Sequence, residues 1–215
     1  MDLDRIYAYR FKGVDPGKRR MVWGELAGFI HVQLGEPQVM LDPAAGMCEF
    51  INAMPAREKW AVDINEQFIR AHADKDLRIV IGDTLVADLP KDHFEGVFVS
   101  NFLEHLHTQE EVADFLKKLY SHLKPGGRIA VMGPNFKYVY KEYFDYADHT
   151  VVLSELGAAE HLYGAGFEVE RIVPRFLPLS FRGTLPVNRS LVRAYLAMPF
   201  AWRFFGKQFL LIGRK

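Results

Sequence analysis

The chain is poor in the features that mark secreted, membrane-spanning and nucleic-acid-binding proteins. Its 215 residues include one cysteine, Cys48, so no internal disulfide can form, which suits a reducing compartment. Basic and acidic residues both number 27, and the resulting zero net charge argues against nucleic-acid binding. Because no apolar run reaches the length of a membrane span and the amino terminus lacks a signal-peptide pattern, we expect a cytoplasmic location.

Short apolar segments alternate with helical patterns along the chain, which predicts an α/β fold. The length fits one domain, and with no repeat or linker we assign residues 1–215 to a single domain. Helical spacing is clearest over residues 110–123, after Thr108, and a further helix is expected to begin at Ser154. Predicted strands cover residues 39–42, 60–63, 78–81, 96–100, 128–132, 167–173 and 208–212.

The most informative segment is a strand that ends in Asp42 and runs through a turn of small residues into a helix that begins near Cys48. About 20 residues further on, a second strand ends in Asp63. This arrangement is how parallel α/β folds bind a nucleoside cofactor.

The charge of this turn discriminates between cofactors. A dinucleotide needs glycines for the approach of its pyrophosphate, and it places the anion on the helix N-terminus. Here two of the three expected glycine positions hold Ala44 and Cys48, and Glu49 puts a carboxylate in the first helical turn. These residues argue against a pyrophosphate and allow a cationic cofactor.

Five motifs in order resemble those of class I methyltransferases that use S-adenosylmethionine (SAM). The resemblance covers roughly residues 36–173, although the family usually has two or three glycines in the first motif and this chain keeps only Gly46. It implies a doubly wound, mostly parallel seven-stranded sheet with helices on both faces. The motifs are Leu41-Asp42 with Gly46, Val62-Asp63, Gly82-Asp83, Phe94 to Leu106, and Leu123-Lys-Pro-Gly-Gly-Arg128.

The resemblance also implies a role for each cofactor residue. Asp42 would hold the amino-acid end of SAM, with Ala44 and Gly46 forming the turn beside it, and a turn or capping carboxylate is the alternative for Asp42. Asp63 would accept hydrogen bonds from both ribose hydroxyls, for which the alternative is the N-cap of the next helix.

The adenine and the methionine part would lie against the ends of the next two strands. Ile64 and Thr84 would flank the adenine, and Asp83 would accept from its amino group or cap a helix instead. Asn101 and Phe102 would lie beside the methionine part of the cofactor.

His105, Asp148 and His149 are the candidate acceptor-side residues. Oxygen methylation needs a base with a pKa near neutrality, and His149 in the aromatic loop 133–152 is the natural choice. Capping or packing of the following helix is the alternative for His149. His105 is expected to line the pocket, and Asp148 need not orient His149, since adjacent side chains diverge.

Three segments lie outside the predicted core: the N-terminal helical segment 1–35, the substrate loop 133–152 and the cap 174–206. Two groups in the N-terminal segment would reach the cofactor carboxylate or an anionic substrate: Tyr7, Tyr9 and Arg10, and the run Lys18 to Arg20, for which a solvated face is the default. In the cap, arginines lie among aromatic residues, including Arg182 beside Phe181. One interpretation of these residues is that the cap contacts an anionic membrane surface, and co-sedimentation with anionic vesicles tests it. We favour a cap that packs on its own domain.

The sequence therefore predicts a SAM-dependent methyltransferase acting on a small-molecule or glycan-type hydroxyl, without a metal or a nucleic-acid partner. The prediction of a glycan acceptor depends on a fainter resemblance. Residues 144–150 and the arginine-rich tail resemble those of methyltransferases encoded with polysaccharide-assembly enzymes. The alternatives are a nicotinamide-dependent oxidoreductase, disfavoured by Ala44, Cys48 and Glu49, and an inactive SAM-fold binding protein, disfavoured by Asp63 and Asp83.

Overall fold

The computed structural model describes residues 3–10, 12–179 and 188–215, with the backbone alone at residues 3, 4, 7 and 8. The side chains of Tyr7, Phe181 and Arg182 lie outside the described part, as does the middle of the proposed cap. The fold is a seven-stranded sheet with the strand order β3-β2-β1-β4-β5-β7-β6. The strands are β1 (Val39–Asp42), β2 (Glu58–Asp63), β3 (Arg78–Ile81), β4 (Phe94–Ser100), β5 (Leu123–Pro134), β6 (Glu168–Val173) and β7 (Gln208–Arg214).

Strands β1 to β5 pair in parallel, whereas β7 runs antiparallel to both β5 and β6. The predicted doubly wound, mostly parallel sheet is therefore confirmed. Its order reverses between β1 and β4, and ligands of such sheets bind at the carboxyl ends of the strands beside that reversal. The helices are α1 (Leu3–Arg10), α2 (Pro16–Gln33), α3 (Glu49–Ala53), α4 (Glu66–His72), α5 (Gln109–His122), α6 (Phe136–Val139), α7 (Glu155–Gly164), α8 (Arg189–Leu196) and α9 (Pro199–Phe205).

The two faces of the sheet carry separate apolar clusters, because successive residues of a strand point to opposite sides. In β4, Val97 and Val99 join the cluster that covers α5 and α7, while Phe98 joins the cluster that covers α2 and α3. All three side chains are fully buried. The chain thus builds the helix-sheet-helix sandwich that its alternating pattern predicts.

Side chains at the helix starts explain where several helices begin. Thr108 and Ser154 accept hydrogen bonds from the backbone N–H groups of Glu111 and Gly157, which confirms both predicted N-caps. Helix α4 is capped by Asn65, whose side chain accepts from Phe68 N at 2.9 Å. The capping alternative for Asp63 is therefore wrong, which leaves its carboxylate to other partners.

The described part of the final connection packs on the sheet but leaves several aromatic rings exposed. Trp202 is buried against Phe29 and Phe176, with ring centroids 5.9 and 5.0 Å apart. Phe200 and Phe204 are exposed, so the described part of the cap packs on its own domain only in part. Because the described residues contain nothing that covers these rings, membrane contact stays a prediction. No helix in the described part of the chain is long and apolar enough to cross a membrane.

Candidate functional site

A cavity of about 260 Å³ opens at the carboxyl ends of β1, β4 and β5. Six of the predicted site residues line it, from both the cofactor and the acceptor groups. They are Asp42, Ala44, Gly46, Asn101, His105 and His149. Helices α1 and α2 supply Arg10, Arg19 and Trp23, so the N-terminal segment closes one side of the cavity.

The turn after β1 is held by the two acids that the sequence singles out. Asp63 accepts a hydrogen bond from Gly46 N at 2.8 Å through one oxygen and from Asn65 N at 2.9 Å through the other. Asp42 accepts from Ala44 N at 3.3 Å. Turn amides that would meet a phosphate in a dinucleotide site are therefore directed at carboxylates, and the resulting negative potential favours a cation.

Asp42 is buried, and its environment raises the pKa of its carboxyl to about 7. Burial is the main cause, the hydrogen bond from Ala44 works against it, and the negative charge of Asp63 raises the pKa further. A cationic ligand in the cavity would shift Asp42 back towards its ionised form, because an opposite charge stabilises the carboxylate.

Glu49 lies in the first turn of α3 as expected, but its charge is balanced. Arg19 donates from Nε and Nη2 to Glu49 Oε2 at 2.9 and 2.5 Å, and both side chains are largely buried. The prediction that the run Lys18 to Arg20 is solvated is therefore wrong for Arg19, although Lys18 and Arg20 are exposed. Since Glu49 is paired, its charge alone is a weaker argument against phosphate than the sequence suggested.

The predicted adenine residues lie beyond the cavity, past the ends of β2 and β3. Ile64 is 65% exposed, which leaves an open apolar shelf. The Asp83 carboxylate accepts from Leu85 N at 2.8 Å, and because residues 84–86 form a turn, Asp83 caps no helix there. Thr84 is buried, and its hydroxyl has no hydrogen-bond partner among the described residues.

The segment after β4 reaches the cavity through Asn101, which has a left-handed backbone (φ 49°). That conformation is uncommon outside glycine, although asparagine tolerates it better than most residues, and it is often found at functional sites. Its side chain donates to Ser100 Oγ at 3.1 Å. Phe102 packs on Phe115 with ring centroids 5.0 Å apart and does not line the cavity.

The acceptor end of the cavity brings together Glu104, His105 and His149. One ligand atom from each lies within 4.8 Å of the others. The two segments are joined by their backbones, because Thr150 N and Val151 N both donate to Glu104 O, at 2.8 and 3.2 Å. These backbone bonds hold Glu104 and His105 close to His149, which lies more than 40 residues away in the sequence.

Asp148 does not orient His149. Its carboxylate forms an ion pair with Arg10, and its backbone carbonyl lies 3.0 Å from His105 Nδ1. Burial raises the pKa of Asp148, but the hydrogen bond from Arg10 and the charges of His105 and Arg10 outweigh it and hold that pKa below its usual range. Asp148 is therefore an ionised link between helix α1 and His105.

The ring of His149 lies in an aromatic pocket. It stacks on Tyr146 at 4.8 Å and meets Tyr143 edge-on at 4.8 Å. Burial, with a further contribution from His105, lowers the pKa of His149 to about 4. The ring is thus neutral at pH 7, where it can accept a hydrogen bond or bind a metal but is a weaker base than the sequence argument assumed.

Comparisons with known proteins identify the class to which this site belongs. Residues 41–131 match the model of a family described as "Methyltransferase domain". This chain carries a SAM-dependent methyltransferase domain. The match covers the first turn, the predicted ribose and adenine acids and the segment after β4. It supports the predicted enzyme class and cofactor over a nicotinamide-dependent oxidoreductase.

Solved structures share the fold of this methyltransferase at low identity. A SAM-dependent methyltransferase from Archaeoglobus fulgidus is 22% identical over 100% of both chains, with a TM-score of 0.69. One from Thermotoga maritima is 16% identical over 98% of both chains, with a TM-score of 0.67. The [4+2]-cyclase SpnF is 13% identical, covers 89% of this chain and 81% of its own, and gives a TM-score of 0.62. None of the curated proteins matches the chain in sequence.

The sequence assigned no role to Glu104, a charged residue that the fold places in the cavity. Glu104 is buried, and burial raises the pKa of its carboxyl. An acid directly before His105 and just beyond a strand end was the signal that could have found it. Arg19 was considered only as part of the run Lys18 to Arg20, and its pairing with Glu49 was not predicted because it depends on how helix α2 packs against α3.

The methyltransferase should bind SAM more tightly as the pH rises from about 5.5 to 7.5, which lies below the usual pKa of an α-ammonium group. Below its raised pKa of about 7, Asp42 is protonated in the free protein, and a cationic ligand must release that proton. Affinity should therefore rise by at most about tenfold per pH unit and level off above about pH 7. Calorimetry at several pH values would measure this, and Asp42→Asn should flatten the profile.

Proposed function

We propose that the protein transfers the methyl group of SAM to a hydroxyl of a small-molecule or glycan acceptor. The cavity joins the glycine-poor turn, suited to a cationic cofactor, to a second end that holds Glu104, His105 and His149. This second end is the observation that carries the proposal. Hydroxyl methylation needs polar groups that bind the acceptor oxygen and help its proton to leave.

The reaction itself asks little more of the protein than alignment. An oxygen lone pair attacks the methyl carbon in line with the sulfur, the carbon–sulfur bond electrons return to sulfur, and S-adenosylhomocysteine leaves. Trp23, Met132 and Leu177 contribute apolar walls that would exclude water from this path. The hydroxyl proton must pass to a base, for which His149 remains the sequence-derived candidate.

A sugar-like acceptor is supported by the aromatic groups around the acceptor end. Tyr146 lines the cavity beneath Arg10, whose guanidinium lies 5.0 Å from the ring centroid. Aromatic faces suit the apolar faces of sugar rings, and carboxylates and imidazoles suit their hydroxyls. The cytoplasmic location expected from the sequence agrees with a nucleotide-linked or lipid-linked glycan precursor.

Titration calorimetry with SAM, S-adenosylhomocysteine and NADH is the first test. We expect the first two to bind and NADH to fail, because the turn amides of Ala44 and Gly46 are engaged by carboxylates. Binding of NADH without SAM would overturn the cofactor assignment.

Transfer from isotopically labelled SAM to matched hydroxyl and amine acceptors then tests the acceptor class. Label retained as a methyl ether supports the proposal. Label found on nitrogen would replace the acceptor class, and SAM binding without transfer to any acceptor would favour the inactive binding protein.

A further inference from the structure

Glu104, His105 and His149 form a donor set that no role in cofactor binding explains. The set comprises two imidazoles and one carboxylate, with one ligand atom of each within 4.8 Å of the others. Donors bound to one ion at about 2.0–2.2 Å are at most about 4.4 Å apart, so the set needs to contract by only a few tenths of an ångström. All three residues line the cavity.

Glu104 is the strongest reason to look for a ligand here. It is 3% exposed, and among the described residues no side chain donates a hydrogen bond to its carboxylate. The guanidinium of Arg10, whose positive charge acts on Glu104, forms its ion pair with Asp148. A cation bound at the cavity wall would give this buried carboxylate a partner of opposite charge.

The surroundings of the two imidazoles match those of metal ligands. His105 Nδ1 lies 3.0 Å from the backbone carbonyl of Asp148 and 3.4 Å from its carboxylate, so Nε2 is the nitrogen available to a metal ion. Metal-bound imidazoles are commonly oriented through their other nitrogen in this way. His149 is held by Tyr143 and Tyr146, and the backbone bonds from Thr150 and Val151 to Glu104 set the separation of the two segments.

We propose that Glu104, His105 and His149 bind a divalent transition-metal ion at the acceptor end of the cavity. Two imidazoles favour ions such as Mn²⁺, Fe²⁺, Co²⁺ or Zn²⁺ over Mg²⁺, and a two-histidine, one-carboxylate set leaves coordination positions open. This site replaces the sequence expectation of a protein without a metal.

The open positions suit oxygen donors, so the ion would hold the acceptor hydroxyl, or two neighbouring hydroxyls of a sugar. This part of the inference rests on the proposed function. A bound divalent ion lowers the pKa of a coordinated hydroxyl, whose proton then passes to water before oxygen attacks the methyl group.

The test is equilibrium binding of Mn²⁺ to protein first treated with a chelator, followed through the electron paramagnetic resonance of free Mn²⁺. We expect one Mn²⁺ per chain in the wild type, and affinity reduced by at least about 10–100-fold in Glu104→Gln and His149→Ala. His107→Ala is the matched control, because His107 faces Glu111 at 3.3 Å on the surface and should not change binding.

Three results would overturn the metal site. They are no binding of Mn²⁺, Co²⁺ or Zn²⁺, affinity unchanged in both variants, and Mn²⁺-loaded wild type without nitrogen couplings from bound imidazole. The last measurement needs no variant, so it holds even if Glu104→Gln fails to fold. SAM affinity, measured in the same samples, separates this result from the proposed function: a protein that binds SAM but no metal contradicts only this inference.

Discussion

Asp63→Ala should weaken SAM binding by roughly 30- to 150-fold, or on the order of 2–3 kcal/mol. The change removes a carboxylate that the resemblance predicts to accept from the two ribose hydroxyls, and charge-assisted hydrogen bonds to a pair of hydroxyls are among the stronger ones. Asp63 also accepts from Gly46 N and Asn65 N, so part of the loss will come from a less ordered turn. Calorimetric titration with SAM measures the affinity.

Two further variants separate these contributions. Asp63→Asn keeps an acceptor oxygen for one turn amide and should lose less affinity than the alanine variant. Asp114→Ala removes an exposed carboxylate from helix α5 and should bind SAM as the wild type does. If Asp63→Ala melts at the wild-type temperature and retains wild-type affinity, the ribose assignment is wrong.

The parts of the fold that sequence predicted well are those set by local pattern. Strands β1 and β3 have the predicted bounds, because each is a short apolar run between polar turns. Strand β5 was predicted from residue 128 but begins at Leu123, where the chain leaves helix α5 directly into the strand. The start of β5 was missed because Pro125 and Gly126 are residues that usually indicate a loop.

The cofactor turn was predictable because its acids and small residues are close in sequence and follow strand ends. Cys48 shows the limit: the helix start was placed near it, yet its left-handed backbone (φ 54°) is visible only in the structure. The Arg19–Glu49 ion pair could not be predicted from the sequence, because it depends on how helices α2 and α3 pack against each other.

The acceptor end was predicted only in part, for the same reason. His105 and His149 were recognised separately as titratable residues in suitable segments. Their meeting depends on the backbone bonds between Glu104 and the 150–151 segment, and pattern alone does not reveal a pairing over such a separation. Burial also decides the chemistry here, because it lowers the pKa of His149 to about 4 and raises the pKa of Glu104.

His149→Ala should cut turnover by about 10²–10⁴-fold while leaving SAM affinity near the wild-type value. The ring lies at the acceptor end, away from the turn that holds Asp42 and Gly46, so its loss should affect the hydroxyl and spare the cofactor. This expectation holds whether the imidazole contacts the acceptor directly or binds a metal that does. Single-turnover methyl transfer, with SAM binding measured separately, is the appropriate assay.

Packing is the competing explanation, because His149 contacts three rings and its removal leaves a space among them. His149→Phe retains an aromatic ring in that space but has no nitrogen, so it separates the two roles. If nitrogen matters, both variants lose turnover, and the phenylalanine variant keeps most of the melting temperature. A phenylalanine variant that turns over as the wild type does, beside an alanine variant that melts early, would assign His149 to packing alone. The acceptor oxygen would then depend on Glu104 and His105.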